Sequence, residues 1–202
     1  GSVEAFIMHD SLGRLVATTL QPVAKAGEFA VLEVQHTIDG GAFLAWGVDK
    51  DLFAPTFDQH KPMEVGKKYV VRIMVHPKSG KLVGIGKINS YLHKAYVEDF
   101  KENQEMDALV YDITDLGYSC IVDGAYSGVI YANETFKPLQ VGDQVKAYLK
   151  HVREDFKMDL FIRPMGYDGI LGEEKVILDL LHASPDGYLP YHDKSEPDEI
   201  TK

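Results

Sequence analysis

Phe43, Phe53, Tyr131 and Tyr148, set among Arg72, Lys81, Lys146, Lys150 and Lys157, are the residues of this 202-residue chain whose types and spacing point to chemistry. Aromatic rings stack on unpaired bases and cations track phosphates, so a face carrying both is equipped to hold a single-stranded nucleic acid. Each of these residues falls in a segment of alternating apolar and polar character, where residues of one parity share a face. Phe53 shares its parity with Pro55, and Tyr131 with Val129, so Phe53 and Tyr131 can join Phe43 on an outer face. Trp46 shares its parity with Leu44 and is expected in the core.

Other chemistries lack the spacing they require. His9, His76 and His151 fall at equivalent hairpin ends of separate segments with no Cys or His at ligand spacing, so no metal centre is expected. Two-metal cleavage of phosphodiesters needs several carboxylates converging on one cavity, whereas Asp112 and Asp115, near Asp107, lie at a strand end that suits a solvated turn. Gly84-Ile85-Gly86 lacks the third glycine of a dinucleotide loop. Neither catalysis nor a cofactor is expected. Cys120 sits in the apolar run Cys120-Ile121-Val122, where it reads as a small buried hydrophobe. As the single cysteine it cannot form an internal disulfide, which fits a reducing cytoplasm, and the sequon at Asn133 then carries no glycan.

The elements that must position these residues repeat. Lys61-Pro62-Met63-Glu64-Val65-Gly66 recurs as Lys137-Pro138-Leu139-Gln140-Val141-Gly142, 76 residues on (142 − 66). The same offset carries Val34 onto Val110, Ile73 onto Leu149 and Lys81 onto Lys157. A third, partial copy opens the chain, since Val3 to His9 matches Val145 to His151 in its apolar positions and its histidine. Alternation at a period of two places strands at about 28–38, 41–48, 51–56, 67–76 and 81–88, and again at about 105–114, 117–123, 127–132, 143–153 and 157–163. Five short antiparallel strands expose edges unless they close, so a five-stranded barrel is expected for each copy. Leu92, Ala95, Tyr96 and Phe100 are spaced as on one side of a linking helix, and Val176, Ile177, Leu180 and Leu181 as on another near the end. Ser195-Glu196-Pro197-Asp198 has the form of a capping box opening a further helix.

The two copies resemble the S1 RNA-binding domain, an OB-fold barrel, and their arrangement is similar to that of the conserved virulence factor B family of bacterial S1 proteins. The resemblance rests on Asp39-Gly40-Gly41-Ala42-Phe43 and Asp115-Leu116-Gly117-Tyr118-Ser119, on Asp51 to Pro55 and Ser127 to Tyr131, and on Val65-Gly66 with Lys81 and Val141-Gly142 with Lys157. It covers almost the whole chain. It departs from the S1 pattern where the family histidine is replaced by Pro55 and Tyr131, and where the first copy keeps one of the two usual base-stacking aromatics, Phe43. The second copy keeps neither, with Tyr118 adjacent to the aligned position. The resemblance implies a mainly β protein of tandem five-stranded antiparallel OB-fold barrels with a short helical C-terminal segment. Its expected domains are the last hairpin of an S1-type module over 1–24, complete barrels over 25–90 and 105–165, a helical linker over 91–104, and the start of a winged helix over 166–202. The implied function is binding of single-stranded RNA without catalysis, as a post-transcriptional regulator in a bacterial cytoplasm. Tyr118 joins the candidate contacts on this ground. The alternative is an adaptor docking on ribosome- or transcription-associated proteins.

The net charge of −10 at first argues against nucleic acid. Its distribution changes that: residues 25–90 hold 9 basic against 7 acidic side chains, residues 105–165 hold 6 against 10, and residues 166–202 hold 3 against 9. The first barrel is therefore the favoured contact. No apolar run reaches the roughly 18 residues that cross a bilayer, and a monomer is expected. Gly1-Ser2 ahead of Val3, without an initiator Met or a signal-peptide pattern, reads as a cloning remnant, with the chain expected to begin inside a longer protein.

Overall fold

The computed structural model describes residues 2, 4–9, 13–135, 137–162 and 182. The expected helices around 171–181 and 195–202 lie outside them. A hairpin of β1 (Phe6–His9) and β2 (Leu15–Thr18) is followed by β3 (Phe29–Ile38), β4 (Gly41–Ala45), β5 (Leu52–Pro55), β6 (Lys68–Val75) and β7 (Leu82–Ile85). These five close into a barrel in the order β3-β4-β5-β7-β6. The second barrel consists of β8 (Glu105–Thr114), β9 (Gly117–Val122), β10 (Tyr126–Tyr131), β11 (Gln144–Val152) and β12 (Met158–Phe161), ordered β10-β12-β11-β8-β9.

Both barrels are mixed rather than wholly antiparallel, because β5 pairs with β7, and β10 with β12, in parallel. The reason is parity: five strands in a closed ring cannot alternate direction all the way round, so at least one neighbouring pair must run the same way. Within each barrel the alternation buries one set of side chains. Leu32, Val34, Ala42, Leu44, Leu52, Ala54, Val71 and Ile73 fill the first core, and Met106, Val110, Cys120, Val122, Ile130, Leu149, Met158 and Leu160 fill the second.

The repeat extends to backbone conformation. Gly80 (φ 66°) and Phe156 (φ 64°) occupy the same left-handed turn position 76 residues apart. Glycine takes that conformation without strain, whereas a phenylalanine pays for it with crowding of its Cβ. The Phe156 ring stands 5.3 Å from that of Tyr96 and 4.5 Å from Lys94 Nζ, and its carbonyl accepts the Ala95 N–H at 3.1 Å. The second copy thus uses this turn to hold the segment between the barrels.

That segment is not the expected helix. It contains two short 3-10 turns, Ile88–Tyr91 and Val97–Asp99, joined by extended backbone. Its N–H groups bond outward, His93 to the Ala125 carbonyl and Asn103 to that of Leu149, while Ala95 is buried in the second core with Phe100 packed against it. Contacts with the barrel replace the hydrogen bonds a helix would have made within itself.

The barrels pack on each other. Val70, Ile88 and Ile121 are buried among Phe29, Val31, Leu92, Leu109, Tyr111 and Val141. Lys61 Nζ lies 2.5 Å from Asp112 Oδ1, and the Tyr111 hydroxyl donates to Asn89 Oδ1 at 2.9 Å. Both barrels and the hairpin belong to one compact unit.

Cys120 is fully buried, and its burial pushes the thiol pKa up to about 12. The folded protein therefore keeps this proton when the unfolded chain, ionising near its ordinary value of about 8.5, has lost it. The Cys120 contribution is constant below about pH 8.5 and destabilises progressively from there to about pH 12. Replacing Cys120 by Ala is expected to flatten the fall in melting temperature across that window; an unchanged slope would show that other groups govern it.

Candidate nucleic-acid interface

Ala42 and Leu44 point into the first core, so Phe43 between them faces out; Leu52 and Ala54 likewise turn Phe53 outward. Phe43 and Phe53 are directly opposed across β4 and β5, with ring centroids 5.1 Å apart at 48°. Gly41 makes room for this pair, since a Cβ there would stand 2.8 Å from Cε2 and Cζ of Phe53. The two rings open onto a cleft of about 740 Å³ whose other walls include Phe6, Met8, Trp46 and Lys81. Phe6 meets Trp46 edge-on at 5.6 Å, which seats the β1–β2 hairpin against the first barrel. Trp46 is buried as expected, its indole N–H donating to the Lys50 carbonyl at 2.6 Å. Among the described residues, Lys81 has no carboxylate within ion-pairing distance.

Arg72 does not line this cleft. It faces outward, but its guanidinium lies 5.0 Å from the Phe29 ring and 5.2 Å from that of Tyr91, and Nη1 donates to the Tyr91 carbonyl at 3.5 Å. Its position brings β3, β6 and the inter-barrel segment together, with Nε buried and unbonded.

The second barrel departs from the expectation more sharply. Tyr118 is buried in the core, because it shares the inward parity of Cys120 and Val122 and stands where the first copy has Ala42. Ser119 and Val129 stand where the first copy carries Phe43 and Phe53, so no ring pair forms. Beside them the buried Asp159 faces the Tyr131 hydroxyl at 3.4 Å, His151 Nε2 at 3.2 Å and Arg153 Nη1 at 3.8 Å. Tyr131 is thereby held as a hydrogen-bond donor. Tyr148 donates to Glu105 at 3.0 Å and leans on Phe161. The cations are engaged as well: Lys146 lies 2.9 Å from Asp107, Lys150 2.6 Å from Glu134, and Lys157 3.8 Å from Asp155. Hydrogen bonding to Asp107 and to Glu134 raises the Lys146 and Lys150 ammonium groups above their ordinary range. Exposed pairs of this kind hold weakly, yet their carboxylates cancel the field that would attract a phosphate.

Two features escape the sequence pattern. His36 stacks on Phe43 with centroids 4.5 Å apart and planes 16° from parallel. Simple alternation would turn it inward with Val34, but a β-bulge between Val34 and His36 shifts the register, so that Val34 opposes Leu44 and His36 opposes Phe43. The repeat equivalent of this bulge lies between Val110 and Asp112, and a separate shift between Leu149 and His151 pairs His151 with Asp159. The docking of Phe6 on Trp46 joins residues far apart in sequence and leaves no local signal.

Fold and cleft together define a protein of tandem OB-like barrels with one aromatic, basic groove. No family model matches the chain. Over 98% of its length it is 28% identical to a Bacillus subtilis protein, uncharacterized protein YitL, spanning 68% of that protein. Over 96% of its length it is 22% identical to conserved virulence factor B of Staphylococcus epidermidis, spanning 67% of it. A solved Streptococcus pneumoniae structure, described as a multidomain protein with nucleic acid binding domains, aligns over 98% of this chain and 72% of its own at 22% identity, with a TM-score of 0.48. The chain is thus similar over nearly its whole length to proteins named conserved virulence factor B. No helix among the described residues is long and apolar enough to cross a membrane.

Proposed function

We propose that the first barrel and the β1–β2 hairpin bind single-stranded RNA in the cleft between them, without catalysis. The observation that carries this reading is the convergence of Phe43, Phe53 and Lys81 on one cleft of about 740 Å³. Two stacked bases gain from the ring pair, and the Lys81 ammonium meets a phosphate. The cleft belongs to the only full barrel whose cations outnumber its acids, in line with a polyanion as ligand. On the resemblance to the S1 pattern, the reading extends to a regulatory role after transcription, in a bacterial cytoplasm. The second barrel, with Asp159 and paired lysines on its corresponding face, is better suited to a ribosome- or transcription-associated protein than to phosphate.

The test is binding of a labelled single-stranded RNA of about 10 nucleotides, starting at about 50 mM salt. Affinity is expected to fall linearly on a log–log plot as salt rises, and Lys81→Ala to lower that slope by about 0.7, one phosphate contact. Lys150→Ala, already paired with Glu134, is expected to leave the slope unchanged. Absence of binding at the lowest salt would favour the adaptor reading instead.

A further inference from the structure

A carboxylate in a groove meant for RNA repels the backbone, so Asp51 calls for a different explanation. Its side chain lines the cleft and keeps about a third of its surface open. Asp51 Oδ2 lies 3.9 Å from Nδ1 of His36, the ring that lies nearly parallel on Phe43. A flat, nitrogen-containing ring is therefore stacked on Phe43 with its nitrogen edge turned to a carboxylate. This is the arrangement a bound base would adopt, and His36, more than half exposed, has open solvent into which to swing.

We propose that Asp51 selects guanine at the position stacked on Phe43, a role that rests on the RNA reading above. An ionised carboxylate is purely an acceptor with two oxygens. Guanine is the one RNA base with two adjacent donors on its Watson–Crick edge, N1–H and N2–H, which match those oxygens in a bidentate pair. Adenine and cytosine set one amino donor beside a ring-nitrogen acceptor, and uracil flanks its single N3–H with two carbonyls. Each of these turns a lone pair toward Asp51. Reading the Watson–Crick edge of an unstacked base in this way is how single-stranded RNA is distinguished by sequence. His36 acts as a stand-in that covers the platform until a base displaces it.

The experiment uses the full chain and four labelled oligouridine strands of about 10 nucleotides, identical except for a central G, A, C or U. The G strand is expected to bind about tenfold more tightly than the others. Asp51→Asn is expected to abolish that preference while leaving affinity for the all-U strand equal or higher, since a repulsive charge is lost. His36→Ala is expected to keep the preference. Equal binding of all four strands by the native chain, or a preference that survives Asp51→Asn, overturns the role of Asp51 and leaves RNA binding standing. A preference lost in His36→Ala would assign base reading to the imidazole instead. No binding of any strand overturns the RNA reading and this inference together.

Discussion

Phe43→Ala combined with Phe53→Ala is expected to weaken binding of a single-stranded RNA of about 10 nucleotides by about 2–6 kcal/mol, thirtyfold at the least. Each ring offers one stacking surface worth about 1–3 kcal/mol, and the two stand opposite one another on the same groove. Neither ring belongs to the buried core, which is built from Ala42, Leu44, Leu52 and Ala54 on the other face of the same strands. The double variant should therefore keep its far-ultraviolet dichroism and a cooperative melt while losing affinity. Tyr131→Ala in the second barrel is the matched control: it removes an aromatic from the corresponding face, yet it is expected to change affinity by less than about twofold, within the range of a group outside the interface. If the double variant binds as well as the native chain, the groove is not the RNA site. If Tyr131→Ala weakens binding as much, the ranking of the two barrels is reversed.

Gly117→Val is expected to destabilise the second barrel by about 3–5 kcal/mol, enough to unfold a marginal domain. Gly117 opens β9 at φ 143°, a conformation that a β-branched residue rarely adopts. A Cβ there would press against the Ile130 carbonyl oxygen and stand 2.8 Å from both the Ala132 nitrogen and the Tyr131 Cα. All three are backbone atoms, so no side chain can move aside. Cys120, three residues along the same strand, reports the outcome: buried in the native chain, it is expected to resist a thiol reagent there and to react readily in Gly117→Val. A thiol that stays protected, with an unchanged melting temperature, would show that the strand accommodates the branch.

Much of this architecture is legible in the sequence because the chain repeats itself. Turn-forming positions recur 76 residues apart, so every boundary inferred in one copy is checked by the other, and β3, β4, β6 and β7 begin that distance before β8, β9, β11 and β12. Parity then turns Phe43 and Phe53 outward and Trp46 inward. The same rule places Tyr118 inward; the resemblance to the S1 pattern counted it as a contact because of its neighbour's position, and the pleat overrules adjacency. Other features depend on distances that a sequence does not contain. A bulge reverses the parity of His36 and His151, which only the pairing of two strands reveals. Leu92, Ala95 and Phe100 have helical spacing, yet the barrel beside them offers carbonyls and an apolar surface that an extended segment uses better. The lysines of the second copy look available until Glu134, Asp107 and Asp155 are found next to them.

The hairpin has a temporal consequence. Among the described residues β1 and β2 pair only with each other, and a two-stranded ribbon is marginal by itself, while the barrels have every strand paired on both sides. Amide hydrogen exchange should then be graded, with Phe6 to His9 trading protons long before Leu44 or Cys120. Because Phe6 and Met8 wall the cleft, an occupant would slow that exchange, so filling of the groove can be followed with a clock set in the hairpin rather than by any signal from the ligand.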